Sequence, residues 1–367
     1  MAEKAICLGG ESTAGAIVSA VDSLYPEHTF EDKGFALKHN DDEISVDTNF
    51  AAQNFWKEAL IRFFNKKSAV LGLILIVVIV LLAVFGPGMN SYTYSGQDLS
   101  QKNFAPRVPG IERLGILDGS EKMSTTTGSK SVNAYVEKGK DDVYYWFGSD
   151  LYGRDIWTRT WEGARVSLII AVAAAVIDMV IGMSYGLISG YFGGRVDMVM
   201  QRFLEVANGI PRLVIVTLLL LVLQPGMVTI IFALMLTEWV GMSRIARAEM
   251  LKLKDQEFVL ASRTLGAGSF FIIFKEVLPN IIGPIITQVM FSIPTAIFTE
   301  AFLSFVGLGI PVPQCSLGSL ISELYNSFTT HPYQIIPPIV VMSLLMLSFN
   351  LVADGLREAL DPKMKSM

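Results

Sequence analysis

Charge is scarce in this chain. Asp, Glu, Lys and Arg make up 17% of its 367 residues, against about 25% in ordinary soluble domains. The deficit is gathered into long uncharged runs, 51% of residues are hydrophobic and the mean hydropathy is +0.47. That pattern excludes a typical soluble enzyme and makes lipid part of the solvent. Cysteine is scarcer still: Cys7 and Cys315 stand at opposite ends, which excludes a disulfide framework and a cysteine-based zinc site. His28, His39 and His331 are isolated and read as loop polar residues rather than metal ligands. The sequence holds no Gly-x-x-x-x-Gly-Lys-Ser/Thr cradle and no His-Glu-x-x-His pair, so no enzymatic activity, cofactor or metal is expected in this chain. A net charge of −5 excludes a generally basic nucleic-acid binder.

What is present is a series of apolar runs long enough to cross about 30 Å of hydrocarbon. They cover Val70 to Phe85, Val166 to Gly190, Phe203 to Leu223, Met227 to Ile245, Ile281 to Val306 and Ile335 to Ala353. The expected fold is therefore an all-α integral membrane protein with six transmembrane helices. Gln224-Pro225-Gly226 separates the third span from the fourth, because Pro lacks a donor and Gly favours a turn.

Basic residues orient the spans. Lys57, Arg62, Lys66 and Lys67 precede the first, and Arg244, Arg247, Lys252, Lys254, Arg263 and Lys275 lie between the fourth and fifth. Both groups should be cytoplasmic. The segment Gly307 to Gln334 has no Lys or Arg, which suits the outside, and both termini then fall inside. The N-terminus lacks the basic start and long apolar core of a signal peptide and reads as retained.

The expected organisation follows. Residues 1–49 form an acidic cytoplasmic tail, with 10 of the 34 acids and 3 of the 29 basic residues. Residues 50–67 form an amphipathic helix, either in the membrane interface or extending the first span, which occupies 68–89. Residues 90–160 make a small external domain, residues 163–355 hold spans two to six with a cytoplasmic loop at 247–280, and 356–367 form a second cytoplasmic tail.

Asp178, Gly182, Gly186 and Gly190 recur every four residues and share one helical face, where small residues admit a neighbouring helix. An acid there either holds the bundle together by hydrogen bonding or faces a water-filled path. Glu300 and Glu238 invite the same two readings. In the loop at 247–280, Phe258, Ser262 and Leu265 repeat with helical spacing, as do Val259, Arg263 and Gly266. A short helix ending at Gly266 follows, either a knob for a partner's groove or a helix lying on the bilayer. Pro279 is expected at the start of the next helix.

These residues resemble the permease subunits of ABC importers, in the oligopeptide/dipeptide branch. The family's Glu-Ala-Ala signature reads Leu260-Ala261-Ser262 here, followed by Gly266 and Leu278-Pro279, so Leu260 stands where the family has its acid. Phe147 to Asp155, Gly163 to Leu168, Glu300 to Pro311 and Asn350 to Pro362 match as further blocks in order. The triplet and the Glu300 block look most like oligopeptide permeases of Gram-positive bacteria.

The resemblance implies a type I importer transmembrane fold in the plasma membrane, forming half of a path for oligopeptides. It implies a homologous second permease, two ABC ATPase subunits carrying ATP and Mg, an extracellular peptide-binding lipoprotein, and surrounding membrane lipid as partners. Glu257, Phe258, Ala261, Ser262, Arg263, Leu265, Gly266 and Ala267 would couple to an ATPase. Asp178, Gly182, Gly186, Gly190 and Glu300 would serve helix packing or the path. Dipeptides or nickel chelates are alternative substrates within the family. An ATPase-independent secondary transporter is the alternative from another class, and would be marked by inverted repeats.

Overall fold

The computed structural model describes residues 55–125 and 128–360. The expected tails at 1–49 and beyond 360 lie outside these residues. Within them, α1 (Phe55–Asn65) leads into α2 (Lys67–Phe85), and the extended backbone of Lys66 breaks the two apart. Then come α3 (Ile156–Phe192), α4 (Gly194–Gly209), α5 (Arg212–Val222), α6 (Met227–Leu253), α7 (Glu257–Thr264), α8 (Ser269–Leu308), α9 (Leu317–Tyr325) and α10 (Ile336–Leu360). Helices α2, α3, α6, α8 and α10 are each long and apolar enough to cross a membrane.

The third expected span differs. The run from Phe203 to Leu223 is not one helix: α4 ends at Gly209, and α5 leaves it at 80°. Pro211 is the cause, because its ring removes a backbone donor and pushes Ile210 into the extended conformation observed there. A sixth span exists only if this bent pair is counted as one. Pro279 takes its expected place, in the first turn of the α-helical stretch Leu278–Leu303, which within α8 follows the π-type stretch Ile272–Val277 without a gap.

The ends of α2 and α3 are tied by polar groups that satisfy the free carbonyls of a helix terminus. Arg165 donates to the carbonyls of Ala83 and Val84, each at 3.0 Å, and Trp157 Nε1 donates to Gly86 at 2.9 Å. At the opposite side of the bundle Lys66 pairs with Glu358 at 2.6 Å, joining α2 to α10.

Helices α3 and α6 meet along the glycine face. A methyl group built on Gly182 would sit 2.6 Å from the Trp239 carbonyl, one on Gly190 would sit 2.9 Å from Met250, and one on Gly186 would overlap the Ser243 carbonyl. Backbone thus lies against backbone over two helical turns. Asp197 of α4 locks the same pair, accepting two bonds of 2.6 Å from Arg247 and one of 2.5 Å from Ser189. Gly186→Leu should therefore force the helices apart, beyond the ~1–3 kcal/mol typical of overpacking. Its thermal unfolding in detergent should fall well below that of the parent, and an unchanged midpoint would show that the seam yields.

Residues 86–155 pack as a small unit of helical turns with one hairpin, β1 (Ser120–Thr125) antiparallel to β2 (Gly128–Asn133). The strands make it the exception in an otherwise helical fold. Its core is aromatic, with Phe104, Tyr135 and Tyr145 buried and Tyr92 stacked on Tyr145 at 4.6 Å. Gln334, in the short turn Pro332–Gln334 that precedes α10, donates to Asn103 and to the Ser149 carbonyl, both at 3.0 Å, and His331 meets Glu121 at 2.9 Å.

Candidate functional site

Helix α7 projects from the bundle at the Lys66 side. It carries Glu257 in its first turn and Arg263 in its last, the charge order a helix dipole favours. Termination is abrupt. The Ala267 amide donates to the Ser262 carbonyl and the Gly266 amide to that of Arg263, each at 3.0 Å, with Gly266 at φ +83°. Those two bonds around a left-handed glycine form a Schellman stop. Nothing lies within 4 Å of where a Gly266 side chain would begin, so backbone conformation alone demands glycine there.

One side chain anchors the helix. Val259 is fully buried among Leu187 of α3, Met242 and Met250 of α6, and Ile272 and Ile273 of α8. Arg263 lies over the Tyr191 ring at 4.8 Å, a cation–π contact that braces the last turn against α3. The remaining positions face outward: Glu257, Phe258, Leu260 and Ala261 are exposed, Ser262 and Ala267 are half-buried, and Leu265 is 87% exposed. Phe270 and Phe274 stack in parallel beside it, at 6.5 Å. An apolar tip on a helix held by one buried side chain and one ring contact has the form of a docking knob rather than of a core element.

Asp178 opens a π-type turn, Asp178–Gly182, and is buried, with one carboxylate oxygen lacking a partner among the described residues. Ser292 of α8 and Glu238 of α6 are its polar neighbours. Glu300 belongs to a different cluster, nearer the opposite end of the bundle. It is fully buried and accepts hydrogen bonds from Ser304 at 2.7 Å, Ser316 at 2.5 Å and Ser167 at 3.4 Å. Ser167 in turn accepts the Leu317 amide at 3.1 Å, and Ser316 caps α9. Glu300 thus fastens α3, α8 and α9 at one point, where an acid can be buried because every neighbour donates to it.

A third cluster was not legible as a site in the sequence. Asp150 accepts from Arg154 at 2.6 Å and from Arg159 at 2.7 Å. Glu323 of α9 pairs with Arg159 at 2.7 Å and also with Arg154. Both guanidiniums are buried. Burial alone would raise the Glu323 carboxyl, yet Arg159 and Arg154 hold it below the usual carboxylate range. The turn that presents Asp150 and Arg154 needs Gly153 at φ +73°, because any larger residue there would strike the Asp98 carbonyl. Two signals could have found the cluster: Arg159 sits one turn inside an apolar helix, and Glu323 is the lone acid in a segment without basic residues.

Comparison with known proteins places this architecture. Residues 182–366 match the family profile of the binding-protein-dependent transport system inner membrane component. Residues 54–106 match that of the N-terminal TM domain of oligopeptide transport permease C. The oligopeptide transport system permease protein OppC of Bacillus subtilis (strain 168) is 42% identical over 312 residues, 85% of this chain and 91% of its own length. The dipeptide transport system permease protein DppC of the same organism is 38% identical over 347 residues, 94% of this chain and 98% of its own. A solved MetNI methionine ABC transporter in an inward-facing conformation overlays 55% of this chain and 94% of its own, with a TM-score of 0.46 and 16% identity. With the identity to the two Bacillus permeases sustained over most of both chains, this multi-pass membrane protein belongs to the family of binding-protein-dependent transport system inner membrane components, in the branch of the oligopeptide and dipeptide permeases.

Proposed function

We propose that this chain is one of two permease subunits in an ATP-driven importer of type I, and that it forms half of the translocation path for oligopeptides. The observation that carries the reading is α7, a knob pegged by Val259 into a cluster drawn from α3, α6 and α8. A groove on an ATPase subunit receives the knob. When two such ATPases close around ATP and Mg, displacement of α7 moves the ends of all three helices together. Close packing between α3 and α6 carries that movement along the bundle as a rigid body, the kind of transition that alternates access between two global states. Chemistry stays on the partners.

The basic residues Lys57, Lys66, Lys252 and Lys254 gather at the α7 side, which favours a cytoplasmic location for that side in the plasma membrane. Residues 86–155 and α9 then face outward, where a peptide-binding lipoprotein would deliver substrate. Both termini lie inside in this orientation.

The test is reconstitution. This chain, its second permease and the ATPases are placed in proteoliposomes with binding protein outside, and labelled oligopeptides, dipeptides and nickel chelates are offered separately. Oligopeptide accumulation that requires ATP is expected. Accumulation without ATP would overturn the coupled reading in favour of a secondary transporter, and preference for another substrate would correct the cargo.

A further inference from the structure

In the second half of helix α8 much of the surface is buried, but one row of side chains stays open. Gln288, Phe291, Thr295, Phe298, Phe302 and Phe305 all keep contact with the exterior and recur at alternating spacings of three and four, so they lie in one line. The row begins near the middle of α8 and, at ~1.5 Å per residue, extends for about 25 Å.

Its composition sets it apart from the open faces of α2 and α3. On α2, beyond Lys67 at its start, the exposed large side chains are Leu71, Ile74, Val77, Val78, Val80, Leu81, Val84 and Phe85, all apolar, as expected where lipid is the neighbour. On α3, Ile169, Val172, Val176 and Val180 follow the same pattern. The α8 row instead interleaves polar groups with aromatic rings and carries no charge. The Thr295 hydroxyl donates to the Phe291 carbonyl at 3.0 Å, which would let it tolerate lipid. Gln288 has no such escape. Its amide makes no hydrogen bond among the described residues, and two unsatisfied donors plus an acceptor in hydrocarbon would be costly.

We propose that this row of α8 lines the aqueous path and forms the contact surface for an extended, sequence-diverse peptide. This rests on the permease reading above and deepens it. The Gln288 amide and the free lone pairs of Thr295 meet backbone N–H and C=O groups, which every peptide presents. The rings of Phe291, Phe298 and Phe302 offer apolar area without demanding a particular side chain. Absence of charge along the row means that neither acidic nor basic peptides are excluded. An extended chain rising ~3.3 Å per residue would lay about seven residues along this length.

Single cysteines at Gln288, Thr295 and Phe298, with Ile74 and Val78 as lipid-facing controls, test this in the assembled, reconstituted importer. Cys7 is replaced by Ala, and Cys315 is retained because it is buried. A charged, water-soluble methanethiosulfonate should modify the three α8 positions at least tenfold faster than the controls in one nucleotide state. Saturating peptide with binding protein should slow that modification at least threefold. Labelling no faster than the controls in either state would overturn the proposal, assigning the row to lipid or to the second permease. Rapid labelling that peptide leaves unchanged would overturn the peptide assignment. Loss of ATP-driven uptake in the importer before any substitution would count against the permease reading itself, independently of the labelling pattern.

Discussion

Leu265→Asp should abolish ATP-driven uptake and leave the folded protein as stable as before. Leu265 is 87% exposed, so its replacement removes no packing from this chain, and a surface change of this kind shifts stability by about 0.5 kcal/mol at most. In a partner's groove the same side chain would be fully enclosed. Truncating such an anchor costs about 2 kcal/mol or more, and burying an unpaired carboxylate adds to that. A loss of ~3 kcal/mol is a factor of roughly 100 in docking. We therefore expect uptake to fall by about two orders of magnitude with an unchanged unfolding midpoint in detergent. Gly266→Val provides the comparison, because a β-branched residue at φ +83° strains the stop itself and should lower both uptake and the midpoint. Uptake within twofold of the parent for Leu265→Asp would remove the knob from the coupling mechanism.

Glu323→Ala should be the most destabilising single change on the side opposite α7. It leaves Arg154 and Arg159, both buried, to share the single charge of Asp150. Breaking a buried ion pair from one partner costs roughly 3–5 kcal/mol, and the lower end applies because the Glu323 side chain keeps 27% exposure. Expression of folded protein should drop sharply, whereas removing the charges together in Glu323→Leu with Arg159→Leu should recover part of the loss. The same pairing predicts a pH dependence. Because the arginines depress the folded-state carboxyl, its stabilisation is present above the ordinary value of 4.5 and is lost as pH falls below that value through the folded one. Parent protein should therefore lose stability in that acid window, and Glu323→Gln should lose less across it. A midpoint for Glu323→Ala equal to that of the parent would show the cluster to be idle.

Legibility in the sequence followed the range of the physics involved. The α7 stop was readable because it is local: a helical repeat closing on Gly266 needs only neighbouring residues. The α3 face from Asp178 to Gly190 was readable for the same reason, although that it meets α6 was not. The break at Pro211 was missed because the apolar run around it is continuous, and hydropathy does not register a change of direction. Glu323 and Arg159 are separated by 164 positions. Nothing in either neighbourhood announces the other, and only the fold brings α9 back over the start of α3. The three serines around Glu300 were equally silent, since a serine gives no sign of which carboxylate it will serve.

One consequence of the α3–α6 seam concerns what must not cross. An importer whose path admits a peptide opens a far wider passage than a proton needs, and the membrane's electrochemical gradient would drain through any hydrated gap left as helices shift. Along Gly182, Gly186 and Gly190 the α3 side of the seam has no side chains, and the main chain of α6 at Trp239, Ser243 and Arg247 lies directly against it, with Met242, Ala246 and Met250 closing the sides. Helices joined in that way travel together or not at all. In the movement proposed above, this flank would keep its electrical insulation, and three hydrogen atoms in place of side chains would accomplish it.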